Sequence, residues 1–184
     1  IRHGEAFTIP DHLTVWEGEK AVYRPTVHYA YCPTDAAIAS LRELEHRNWD
    51  LTENQRIMND EIIDGNDRLG VLLMGHPYKS WWTGSLLSIH DSRKLIPNQS
   101  ATTVQVASAV FAAVAWAVKN PDKGILVPDD MPWREVLAYA EKYWGGFHSA
   151  PADWTPIDNR KDFFEGWNGK EYDSDPWQFS NFLV

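Results

Sequence analysis

From Ser100 to Val118 the chain carries no charge: alanines and valines recur around Phe111 and Trp116, up to Lys119-Asn120-Pro121, where proline stops a helix. A helix that is apolar nearly all the way round is ill suited to a surface, so this run predicts a segment sandwiched between layers of a packed protein. Ser100 or Thr102 suits its N-cap, Thr102 with Gln105 three residues on as in a capping box. The hydroxyls and the amide inside the run make it a marginal membrane span at best. A chain of 184 residues can bury one good core, or two smaller lobes, without metal or disulfide staples.

The flanking patterns predict an α+β fold on an antiparallel sheet. Thr26–Tyr31, β-branched and aromatic between Pro25 and Cys32-Pro33, reads as a short strand. Thr34 then caps a helix with Ile38, Leu41 and Leu44 on one stripe and Arg42, Glu43 and Arg47 opposite. Gln55–Ile63 and Leu69–Met74 read as two strands joined by a turn at Asp64-Gly65-Asn66-Asp67, and Trp81–Ile89 as a third after a turn at His76–Ser80. A second helix runs from Pro132 to Trp144, announced by Asp129 or Asp130 and ended by Gly145-Gly146. The C-terminal stretch, with Asp153-Trp154-Thr155-Pro156 and Asp175-Pro176-Trp177, reads as irregular wrapping segments anchored by aromatics.

Charge and missing motifs narrow the function. A net charge of -9 opposes nucleic-acid phosphate and anionic membranes. The single Cys32 excludes an intrachain disulfide and fits a reducing, cytoplasmic setting, and the seven histidines show no metal-site spacing, so no metal is expected. No glycine-rich dinucleotide or phosphate fingerprint and no nucleophile elbow is present. The chain starts at Ile1 without an initiator Met, and we expect a piece of a longer protein. Between Asp60 and Ile89, acids stand close to the paired Trp81 and Trp82. Carboxylates bind ammonium groups and indole faces attract cations, so this stretch suits a small organic cation; the plainer reading is a solvated acidic hairpin beside a core tryptophan.

Several segments resemble the C-terminal part of the bacterial homospermidine synthases, of the wider saccharopine-dehydrogenase-like group. They are Pro25-Thr26-Val27-His28-Tyr29-Ala30-Tyr31 with Asp35 and Ser40-Leu41-x-Glu43-Leu44, Asp60-Glu61-Ile62, Leu69-Gly70-Val71-Leu72-Leu73-Met74-Gly75-His76, Gly84-Ser85-x-Leu87-Ser88-Ile89 and the closing Asp175-Pro176-Trp177-Gln178-Phe179-x-Asn181-x-Leu183-Val184. The resemblance implies NAD as cofactor, polyamines as substrates, a homodimer, and an upstream Rossmann-type half that begins the NAD lobe. It further implies a substrate-binding and dimerisation lobe over residues 1–97, a helix returning to the NAD lobe over 98–120, and a C-terminal helix with wrapping segments over 121–184.

On the same resemblance His3 is similar to a substrate-site histidine, with a ring suited to proton exchange with an amine; the alternative is a surface histidine near a frayed end. Asp67 and Asp64 either anchor an ammonium or make Asx turns. Glu61 faces the site or solvent. His76 reads rather as a structural hydrogen-bonder. Trp81 and Trp82 fall on opposite faces of a regular strand, so one, taken as Trp82, lines a pocket. Asn98, Ala101 and Thr102 either present N–H groups to the cofactor or form an ordinary cap. Two other functions stay open: a saccharopine- or carboxynorspermidine-type dehydrogenase, whose carboxylate-bearing substrates call for pocket arginines, and a non-catalytic polyamine-binding or dimerisation module.

Overall fold

The computed structural model describes residues 3–55, 57–158 and 171–183, which fall into two compact units. The first comprises residues 1–57 and 122–133. In it, α1 (Glu5–His12) places the ring of Pro10 as its buried residue, and the Thr14 hydroxyl donates to the Pro10 carbonyl at 2.6 Å. A short hairpin follows, β1 (Val15–Glu17) with β2 (Lys20–Tyr23), reversing at Gly18, whose φ of 62° suits glycine. Neither α1 nor this hairpin is announced by a long hydrophobic period.

Thr26–Tyr31, expected as a strand, is not part of either sheet. Prolines at both ends remove backbone donors, and the aromatic rings find each other instead: Tyr29 and Tyr31 lie 5.7 Å apart. The expected helix after Thr34 is present as α2 (Asp35–His46), with the Thr34 hydroxyl accepting from the Ala37 N–H at 3.3 Å. Its stripe forms but is not covered, for Ile38 and Leu41 stay exposed.

The second unit holds residues 58–121 and 134–184 around a three-stranded antiparallel sheet in the order β3 (Asn66–His76), β4 (Lys79–Ser88), β5 (Phe147–Ala152). The reversal at His76–Ser80 and the strand after it fall where the sequence puts them. The expected strand Leu69–Met74 is present within β3, but Gln55–Ile63 forms no ladder, Arg56 lying outside the described residues. Asp60 instead lies 3.3 Å from Arg93, which also donates to the Asn59 carbonyl. So Asp64–Asp67 is no hairpin turn. Gly65 leads into β3, and its carbonyl accepts from the Ile89 N–H.

The β3–β4 register sets Gly70 opposite Gly84. A Cβ on Gly70 would sit 2.5 Å from the Thr83 carbonyl oxygen and 2.9 Å from Cζ2 of Trp82, so the two glycines let the strands close while the indole covers the gap. β5, which the sequence pattern does not reveal, pairs Ser80–Ser85 with Phe147–Ala152; Pro151 is tolerated because β5 is an edge strand.

Ser88 ends β4 and caps α3 (Ile89–Leu95), accepting from the Asp91 N–H and donating to its carboxylate. After a turn at Asn98, held by the Ser92 hydroxyl on the Gln99 carbonyl, α4 (Ala101–Lys119) begins. Ser100, not Thr102, is its cap, accepting from the Thr103 N–H, so the Thr102–Gln105 capping box does not form. Gln105 is buried and donates to the Ser85 hydroxyl at 2.8 Å, keying the helix to the sheet.

Leu87, Ala101 and Val104 form the core, with Tyr143 packed against it; full burial of Leu87 contributes about 2 kcal/mol. Along α4 the Trp144 indole donates to Ser108, and that of Trp116 to Glu135 on α5 (Trp133–Ala140). The expected sandwich is half built. One face of α4 is buried, but Val106, Val110, Val114 and Val118, spaced one turn apart, are all more than half exposed. The second helix is shorter than expected, passing at Glu141–Tyr143 into a tighter turn before Gly145.

Candidate active site and NAD-facing residues

In the first unit His3 precedes α1, close enough for its Nδ1 to pair with the Glu5 carboxylate. The imidazole stacks on Tyr29, with centroids 4.1 Å apart and planes 14° off parallel. The segment Thr26–Tyr31 thus has a use outside a sheet: it lays Tyr29 against His3. Backbone hydrogen bonding at the helix start, and then the bond with His3, hold the Glu5 carboxyl below the ordinary carboxylate range. Both side chains remain about half exposed. The same unit has an open groove of about 260 Å³ lined by Ala6, Pro10, Arg24, Pro25, Thr26 and Val27. The Arg24 guanidinium there is engaged by Asp11 at 2.5 Å.

In the second unit the acids separate. Asp64 is exposed, accepts from the Gly65 N–H and lies 3.4 Å from His90. Glu61, also exposed, accepts from the Asn59 N–H at 2.7 Å. Asp67 is half-buried in β3 opposite Leu87, on the sheet face that packs on α4, and Gln105 reaches its carbonyl. Trp82, opposite Leu72, is on the other face with its ring over Gly70. Asp67 and Trp82 therefore do not line one pocket wall. Trp81 shares the face of Asp67 and donates to Ser149 at 2.8 Å. His76 accepts from the Tyr78 N–H within the reversal, the structural role expected of it.

Asn98 occupies the left-handed region (φ 63°) of the turn before α4. The Ser100 cap takes up one N–H of the first helical turn, leaving those of Ala101 and Thr102 without intrahelical partners. No acidic residue stands in that turn, so an anionic phosphate meets no repulsion there. Among the described residues no group of three or more histidine, cysteine or acidic side chains gathers to hold a metal. Glu5, Tyr29 and the Ser85–Gln105 pair make contacts beside the expected residues that pattern reading misses. A glutamate two residues after His3, at a helix start, is the one local signal for the first.

Residues 1–147 match the model of the saccharopine dehydrogenase C-terminal domain. The chain belongs to that family. It is 42% identical to the homospermidine synthase of Blastochloris viridis over 186 residues, and 42% identical to that of Mesorhizobium japonicum over 187. Each alignment takes in 100% of this chain but 38% of the relative, so this member of the family spans well under half the length of the curated relatives it matches. Its fold matches the crystal structure of the Legionella pneumophila homospermidine synthase in complex with NAD, with a TM-score of 0.88 and 40% identity over 98% of this chain and 39% of that one. The α+β class and the likeness to the C-terminal part of homospermidine synthase read from the sequence both hold.

Proposed function

We propose that this chain is the C-terminal portion of an NAD-dependent transferase that joins two putrescines, or spermidine and putrescine, into homospermidine. The observation that carries the reading is identity of 42% to two homospermidine synthases along the whole chain. In the reaction putrescine is oxidised to an imine, a second putrescine displaces ammonia at that carbon, and the new imine is reduced, with no net redox. NAD, when bound, supplies the reversible oxidation and reduction. The free N–H groups of Ala101 and Thr102, with Asn98 setting the turn before them, suit its pyrophosphate. His3 takes and returns the proton of the reacting amine, as an imidazole anchored through Nδ1 and about half exposed permits. We assign Asp67 to an ammonium group of a polyamine, with Asp64 and Glu61 drawing cations toward that end of the sheet, while Trp82 offers its indole on the opposite sheet face.

The same reading makes the enzyme a cytoplasmic homodimer completed by a Rossmann-type half. Residues 1–97 then form the substrate and dimer lobe, 98–120 return to the NAD lobe, and 121–184 wrap the substrate lobe. Supplying the complete enzyme with putrescine and a trace of NAD should yield homospermidine and ammonia by mass spectrometry without net NADH. Net NADH without homospermidine would replace this reading by the second one, a dehydrogenase of the saccharopine or carboxynorspermidine type. Arg24 in the groove is the observation in its favour, weakened by the Asp11 carboxylate already on that guanidinium.

A further inference from the structure

Glu5 belongs to none of the motifs that carry the resemblance, yet it holds the one ring nitrogen of His3 that faces α1. An ionised carboxylate only accepts hydrogen bonds, so the nitrogen beside it must carry the proton. Tyr29 lies flat on the ring at 4.1 Å and resists its rotation, which would otherwise put Cδ2 in place of Nδ1 beside Glu5. We propose that Glu5 is a positioning residue that fixes His3 as the Nδ1–H tautomer, leaving the Nε2 lone pair as the proton acceptor for the substrate amine. The proposal rests on the proton-transfer reading of His3 above.

The step is a proton transfer alone. An N–H bond of the substrate ammonium breaks as an Nε2–H bond forms, the substrate nitrogen keeps the electron pair, and the imidazolium stays hydrogen-bonded to Glu5 through Nδ1. Reversing the same transfer protonates the departing ammonia. The carboxylate is already ionised at neutral pH, its carboxyl being held below the ordinary range, so it waits as an acceptor throughout.

The test labels the histidines of the complete enzyme with ¹⁵N, reads both ring nitrogens by two-bond proton correlation above the ring's titration, and assigns His3 by the signals lost in His3→Asn. The expected spectrum has Nδ1 protonated and Nε2 bare. Glu5→Ala should shift the neutral ring toward Nε2–H and lower kcat at least about tenfold with little change in KM. Glu5→Gln keeps an amide oxygen at that place and should restore the tautomer and part of kcat, which guards against a folding defect in the alanine variant. An Nε2–H ring in the unmodified enzyme, or a Glu5→Ala enzyme with unchanged kcat, overturns the role of Glu5 while leaving His3 as the base. Full kcat in His3→Asn overturns the proposal at its foundation, because the proton-transfer reading itself then fails.

Discussion

At the residue scale, Asp67 is where the proposed site and the scaffold share one position. Its backbone is pinned in β3 opposite Leu87 while the residue as a whole is partly buried, a combination that fixes direction without full desolvation. Replacing Asp67 by Asn in the complete enzyme preserves size and strand geometry but removes the charge. The expected outcome is a fall of about ten- to hundredfold in kcat/KM for putrescine, equal to roughly 1.5–3 kcal/mol, with NAD affinity nearly intact by titration. Unchanged kinetics would take Asp67 out of the site. Side-chain chemistry of this kind is partly legible in a sequence: an acid near tryptophans suggests a cation. The face is not, because whether Asp67 and Trp82 share a pocket depends on a register that only the paired strand discloses. Asn181 makes the same point. Its closing-motif neighbours are legible as breakers, but its buried amide, donating to the Asp173 and Asp175 carbonyls and accepting from the Asp173 N–H, is visible only once the chain has turned.

At the scale of elements, α2 and α4 were plain from apolar period and caps, since both signals are local. The start of α4 still held two readings, and the structure chooses Ser100. Ser100→Ala should therefore cost about 1 kcal/mol in urea unfolding, whereas Thr102→Ala, exposed and bonded to no backbone donor of the turn, should fall within about 0.5 kcal/mol of zero. Equal effects would contradict the assignment. The strands were harder. β4 and its upstream partner Leu69–Met74 are legible as apolar runs, but the strand expected before them does not form, because acids and isoleucines between Gln55 and Ile63 imitate a half-buried strand. Their exposure is decisive: Ile57 is 88% and Ile63 85% exposed, so nothing covers the face an alternation would need. β5 was missed because a proline and small residues in Phe147–Ala152 carry little strand propensity, and a neighbour far off in sequence supplies the ladder.

At the scale of the whole molecule, the row Val106, Val110, Val114 and Val118 follows the pattern of a helix meant to be covered on two sides. On the proposed function, that row seats against the NAD lobe. Val110→Asp with Val114→Asp in the complete enzyme should then lower the melting temperature by several degrees and weaken NAD retention, since two buried apolar contacts of about 1.5–3 kcal/mol each turn into buried charge. In the isolated chain the same pair should leave the helical circular dichroism unchanged. Loss of helicity there would mean that the valines support this chain's own packing.

The order of strands in the sheet also governs how the protein is made. β3 and β4 meet through a tight reversal, but β5 joins β4 only after α3, α4 and α5 have been synthesised. With about sixty residues between them and translation at roughly 5–20 residues per second, the inner edge of β4 waits several seconds on the ribosome with its backbone unpaired. During that interval the unpaired edge of β4 is open to mispairing with a neighbouring chain.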